Sequence, residues 1–593
     1  MAWAVIWLVW GLYIPALCFD LSLSKDCLHG PQSRGCWDDG YDILTDYNDV
    51  KNIPPGRLVE YTLTLSEGMV SPDGYIRPGI VINGQFPGPT LEASWGDTLR
   101  ITVHNNLTIY NGTSIHWHAI RQWQTNWQDG VPGVTQCPIK PGDSQVYDFR
   151  ATQYGTTWYH SHDSMQIVDG LFGAIVIHGP SSMDYDIDLG PWLLADWYHT
   201  NISGLDWIPL YWDNDTLPPF TLLNGKGYLN CDTSNPQCTG TDNHYEVVFR
   251  KSLKYKIGLV GSTTLLAYEF WIDGHNMTVI EADLVPVEPF VVNSLIIASG
   301  QRYEIIVEAD ANFKYGTNFG IHALPCNPRG NKSSRLGVIR YNEKDRSSPR
   351  WSLFGEHKAS GCHDIDLRKF VPIVKKSVGK SVNSMTPKEY LKIGKQAYPN
   401  ISENEDSRFF KWVLKDIPQS VDWRVPTLKQ VSENAQIPPE AVSLYLDYES
   451  NEWVHFLIIS NMTESPSLVE SASYHPMHLH GHDLAILAQG KDFTHDVIPN
   501  IDNPARRDTV ILPNKGGYLW IAFQINNPGA WLFHCHIASH ALGGLSLQFI
   551  EQPRKIPGLL EQAGVTGELW DRCRAWSDWA DAMNVSAGIT SGV

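Results

Sequence analysis

A cysteine held between two histidines, His534-Cys535-His536, with His540 and Leu545 following, constrains this 593-residue chain more than any other feature. In an extended segment, neighbouring side chains point to opposite faces. Cys535 therefore faces one centre, and His534 and His536 face another. A thiolate with imidazoles and a weak or absent axial ligand suits a blue copper electron-transfer site. Taken alone, a cysteine among histidines also suits zinc.

Three more clusters decide between the metals. They are His116-Trp117-His118, His160-Ser161-His162 and His475-Pro476-Met477-His478-Leu479-His480. Residues i and i+2 of a strand share a face, so each H-x-H is a two-imidazole clamp. One such pair among 22 histidines would read as coincidence or as a surface pair. Four clusters, offering ten histidines and one cysteine in all, read as a multi-copper centre.

The motifs in this order, two early and two late, resemble those of the multicopper oxidases, and most closely the secreted laccases of filamentous ascomycete fungi. The similarity extends beyond the first cluster to Gln122, Thr125-Asn126 and the run Asp129-Gly130-Val131-Pro132-Gly133-Val134-Thr135-Gln136-Cys137-Pro138-Ile139, and covers roughly residues 55–575. It implies three cupredoxin-like Greek-key β-sandwich domains and four copper ions. By motif position, His475, Cys535 and His540 would hold the type 1 copper, and His116 and His478 the type 2 copper. His118, His160 and His536 would hold one type 3 copper, and His162, His480 and His534 the other. The trinuclear cluster would lie where the first and last domains meet. Electrons from a phenolic substrate would enter through the exposed edge of His540 and pass by Cys535 to His534 and His536. Dioxygen would be reduced to water at the cluster. Asp129 matches a family carboxylate that assists proton supply; its bland alternative is an Asp-Gly turn. Leu545 stands where some relatives carry an axial Met, so the type 1 copper would be three-coordinate, with a raised reduction potential.

The length is too great for one core, and Gly 48 and Pro 37 with few long amphipathic runs favour an all-β chain. Short apolar or alternating segments at 58–65, 99–103, 173–177, 303–307 and 453–459 read as sandwich strands. The expected division is a signal peptide at 1–18, an N-terminal extension at 19–54 and domains at 55–180, 181–365 and 406–560. A basic, Ser- and Thr-bearing stretch within 366–405 reads as a linker, and 561–593 as a C-terminal tail. The apolar start lacks a basic n-region but is too short to span a membrane, and no later run reaches about 18 apolar residues. The chain is therefore expected to be secreted and soluble, without membrane association, and to act as a monomer. Apart from Cys18 in the leader and the copper thiolate Cys535, eight of the ten cysteines remain, an even number that fits an oxidising compartment. Close spacing suggests Cys27–Cys36 and Cys231–Cys238; the family pattern suggests Cys326–Cys362 and Cys137–Cys573. Nine N-x-S/T sequons, at Asn106, Asn111, Asn201, Asn214, Asn276, Asn331, Asn400, Asn461 and Asn584, suggest a glycoprotein. The net charge of −19 argues against nucleic-acid binding.

Some positions depart from the family pattern. Ala119 replaces the usual glycine after the first H-x-H, and Thr590-Ser591-Gly592-Val593 resembles a C-terminal plug that has lost its acid. The substrate-binding carboxylate of the second domain has only loose candidates, Asp232, Asp242 and Glu246. His482 and Asp483 read as supporting residues. A phenol oxidase of broad range and a dedicated coupling oxidase of a pigment or polyketide pathway both fit. A ferroxidase fits less well, because Ala538 stands where such relatives place Glu. Ascorbate oxidation expects the axial Met that Leu545 replaces. A scaffold without activity would bind no copper, so copper content would separate it.

Overall fold

The computed structural model describes residues 28–38, 40–163, 165–200, 220–229, 231–239, 243–326, 335–349, 364–386, 388–398, 409–460, 474–514 and 516–585. The expected signal peptide, Cys27, Cys362, Asp242 and residues 590–593 lie outside them. All five segments read as strands are strands: they fall within Leu58–Val70, Thr98–Asn105, Phe172–His178, Arg302–Glu308 and Trp453–Ser460.

Among the described residues, six sheets form three successive sandwiches. In the first, Arg77–Ile82, Leu58–Val70, Thr98–Asn105 and Ser144–Arg150 make one sheet. Gly88–Ser94, Phe172–His178, Gly155–Ser161 and Ile115–Trp117 make the other. Leu63, Ile80, Leu99 and Ile101 from one sheet share a core with Leu91, Ile115, Trp117 and Ile175 from the other. Leu58–Val70 runs parallel to Thr98–Asn105, and Gly88–Ser94 parallel to Phe172–His178. Strands so paired cannot be joined by hairpins, hence the Greek-key crossovers. The second and third units each pair a six-stranded with a five-stranded sheet, and their apolar faces join in one continuous cluster.

Two stretches depart from the sequence reading. Leu391–Tyr398, within the presumed linker, is a strand that runs parallel to Trp453–Ser460 in the third unit. Ile556–Ala563 and Thr566–Ala582, which begin near or within the presumed tail, are helices. Leu569, Trp570, Cys573, Trp576 and Ala580 are the buried residues of the longer helix, and they pack with Trp127, Val131 and Val134 beside the first cluster. The Cys137–Cys573 disulfide fastens this helix to the first unit, and Cys231–Cys238 closes a short loop. Cys36 and Cys326 are also disulfide-bonded.

Candidate metal centre

Each histidine motif sits on a buried strand or at its exit, and adjacent antiparallel strands bring the motifs together. In the first unit His116 stands opposite His160; in the third, His478 stands opposite His534 and Met477 opposite Cys535. The two pairs of strands face each other across the junction of these units. All ten histidines and Cys535 are at most 5% exposed.

They separate into two groups. Cys535 Sγ lies 3.6 Å from Nδ1 of both His475 and His540, and those two nitrogens are 3.2 Å apart. The remaining eight imidazoles converge on one centre. His118 Nδ1 is 3.2 Å from His536 Nε2 and 3.5 Å from His160 Nε2, and His480 Nε2 is 3.2 Å from His534 Nε2. His162, His480 and His534 each offer a nitrogen within 4.8 Å of the others.

The outward nitrogens are anchored. His116 Nδ1 donates to the Asp129 carbonyl and His480 Nδ1 to Asp129 Oδ2, both at 2.8 Å. His160 Nδ1 donates to the Ser161 carbonyl, His534 Nδ1 to that of Cys535 and His478 Nδ1 to that of Asp508. His118 Nε2 donates to Asp508 Oδ1 at 3.1 Å. A ring that donates outward carries its bare lone pair inward, which is the ligand form. Glycine at 130 is required by this packing: its φ is +84°, and a Cβ would stand 1.8 Å from the Ile115 carbonyl oxygen.

The donor set fits metal ions. His116 Nε2 and His478 Nε2 are buried with no protein partner among the described residues. Two nitrogens about 2.0–2.1 Å from one tetrahedral first-row ion stand roughly 3.3 Å apart, close to the separations found here. Burial first, then neighbouring imidazoles or cations, holds His118, His160, His480, His534 and His536 well below the usual histidine range, so they are neutral. Burial likewise pushes the Cys535 thiol up, so its thiolate needs a bound cation. Cys535 is the free cysteine among the described residues.

Several supports were not apparent from the sequence, and the second unit supplies most of them. Ser299 Oγ lies 2.9 Å from His536 Nδ1 and 3.0 Å from the His536 carbonyl. Gly300, at φ +83°, lies so close that a Cβ would be 3.0 Å from both His118 Cε1 and His536 Cδ2. Gln301 donates to the Thr509 carbonyl at 3.3 Å, and Arg302 Nη1 to Asp508 Oδ1 at 2.8 Å. Arg302 also faces Asp283, which pairs with Arg507. Arg302 and hydrogen bonds from His478 keep the Asp508 carboxyl below the usual range against the opposing effect of burial. The expected meeting of first and last units thus becomes a three-unit junction. The one legible signal was Arg506-Arg507-Asp508, a charged run against the apolar strand Thr509–Pro513.

The exposed edge expected for His540 is corrected: the residue is 5% exposed, and the Trp412 ring lies over it with centroids 4.2 Å apart. Leu545 is fully buried in the shared core. Ala119 sits at φ +68°, a left-handed turn that explains glycine's usual place there. Ala538 packs among Leu193, Ala195 and Val260. His482 pairs with Glu551 at 2.7 Å and Asp483 with Arg121, so neither joins the histidine groups. Glu246 is paired to Arg340 and Arg346, and Asp232 turns back on Ser234.

Fold and site together define a copper oxidoreductase, and the chain belongs to the multicopper oxidase family, whose domain models match residues 64–182, 188–344 and 419–555. It is 53% identical to Oxidoreductase tpcJ of Aspergillus fumigatus, over 99% of this chain and 98% of that protein. It is 52% identical to Dihydrogeodin oxidase of Aspergillus terreus, over 98% and 97%. Among solved structures, the laccase from Botrytis aclada superposes with a TM-score of 0.84 at 36% identity, over 96% of this chain and all of that one.

Proposed function

We propose that the chain takes single electrons from a phenolic substrate at His475, Cys535 and His540 and uses them to reduce dioxygen at the eight-histidine centre. One observation carries the reading: Cys535, which faces the first group, is joined by peptide bonds to His534 and His536, which face the second. Four copper ions, one type 1, one type 2 and two type 3, supply the one-electron chemistry when bound. His475, Cys535 and His540 hold the first; His116 and His478 the second; His118, His160 and His536, and His162, His480 and His534, the pair. Trp412, itself buried, packs its ring over His540. Asp129, bonded to both His116 and His480, is placed to hand protons toward the oxygen-reducing centre.

The 52% identity with a protein named Dihydrogeodin oxidase favours a dedicated coupling oxidase over a broad one. Joining two phenolic positions removes two electrons and two protons, forms one bond and converts half a dioxygen to one water. The cysteine pattern and sequons point to a secreted glycoprotein; Asn106, Asn111, Asn276 and Asn584 are exposed. The deciding test is dioxygen uptake by copper-loaded enzyme on simple diphenols, naphthols, dihydrogeodin and iron(II), alongside the visible spectrum. A blue protein active on a multi-ring phenol and slow on diphenols is expected. Preference for iron(II) would overturn the proposal.

A further inference from the structure

Behind the loops that leave two of the histidine motifs lies a polar cavity of about 30 Å³, room for about two water-sized atoms. Arg121 and Trp123 line it just after the first motif, and Gly481, His482 and Asp483 just after the third. Lys376 comes from the presumed linker, and Arg506 from the short strand Arg506–Arg507. Three cations thus meet one lining carboxylate, and that carboxylate is engaged: Asp483 accepts from Arg121 and, at 3.4 Å, from Gln153. The exposed Asp46 is a second acid near Arg121 and Lys376, and the buried Glu551 pairs with the lining His482.

Arg506 is 4% exposed. Its Nη2 donates to the Val374 carbonyl at 2.6 Å, while Nε and Nη1 are buried with no acceptor among the described residues beyond the adjacent Tyr47 hydroxyl. The Tyr47 hydroxyl stands beside the guanidinium and is itself buried. Lys376 Nζ stands 5.3 Å from the Trp453 ring centroid. A water molecule would satisfy the donors but add no negative charge where three cations line the cavity with one already engaged carboxylate. A small anion does both.

We infer that this cavity binds one small monovalent inorganic anion of halide size, held between the Arg506 guanidinium and the Lys376 ammonium. The ion ties together the loop after His118, the loop after His480 and the segment carrying Lys376. Burial and the neighbouring Arg121 and Arg506 depress Lys376 to about 8, a cation short of partners.

The test is anomalous scattering from crystals of the copper-loaded enzyme in bromide, together with unfolding temperature at fixed ionic strength as chloride replaces gluconate. A bromide peak against Arg506 and Lys376 is expected, with a saturating chloride-specific rise in Tm. Both should vanish in Arg506→Met and weaken in Lys376→Met, at a partly buried position, which keeps the test open if the first variant fails to fold. Halide at copper would change the visible and electron-spin spectra and persist in both variants. A refined water, a carboxylate from another part of the chain filling the cavity, or a chloride effect unchanged in Lys376→Met would overturn the inference.

Discussion

The three units repeat one pair of antiparallel strands and use it differently. In the first, Ile115–Trp117 against Gly155–Ser161 sets His116 opposite His160; in the third, Tyr474–Leu479 against Gly529–Cys535 sets His478 opposite His534. In the second, Tyr268–Ile272 runs against Asn318–Pro325, and the histidine there, His322, stands opposite Trp271 and bonds Asp273. The second unit contributes through a turn instead, Ser299 to Arg302, which reaches ligands of both neighbours. A sheet that offers no candidate ligand can still shape the candidate centre, provided a loop at its end fixes the orientation of the rings.

The sharpest way to break this contrast is Arg302→Leu. Asp508 would be left a buried carboxylate without its cationic partner, still hydrogen-bonded to His118 and Thr509, at a cost of up to about 3–5 kcal/mol. The expected outcome is a lowered Tm and loss of copper from the eight-histidine centre, with the blue band retained. Loss of both copper sites together would mean that the units cannot be separated. Asp129→Asn comes next: dioxygen reduction should slow by on the order of 10²-fold while the blue absorbance stays near normal. Unimpaired turnover would return Asp129 to a turn residue. Ser299→Ala removes the acceptor that fixes the His536 tautomer and should weaken copper retention at the eight-histidine centre by about 10–100-fold. Its readouts are the near-ultraviolet shoulder and copper content, with Ser299→Thr restoring both; a change in Tm alone would make Ser299 merely structural. Leu545→Met should have the smallest effect, lowering the type 1 potential in a redox titration; an unchanged or higher potential would remove the axial argument.

The histidine clusters were legible because strand geometry turns H-x-H into a clamp without help from the rest of the fold. The strands were legible for the same reason, since a short apolar run reports its own burial. Ser299 and Arg302 were not: both residue types are common, and they matter only because three units dock. The final helix was missed despite a readable period, with Leu569, Trp570, Cys573, Trp576 and Ala580 on one face. His540 was expected at the surface because nothing local announces that Trp412, distant in sequence, covers it.

The bond between Cys137 and Cys573 joins residues 436 positions apart, so it cannot form until the last helix has been synthesised. Nine of the eleven candidate ligands lie inside the ring it closes. Through that wait Cys535 must stay reduced while other thiols pair, and its complete burial in the third unit shields it from exchange. Once closed, the ring turns a single proteolytic cut between residues 137 and 573 into a nick: both pieces would migrate together on a gel until a reductant parts them.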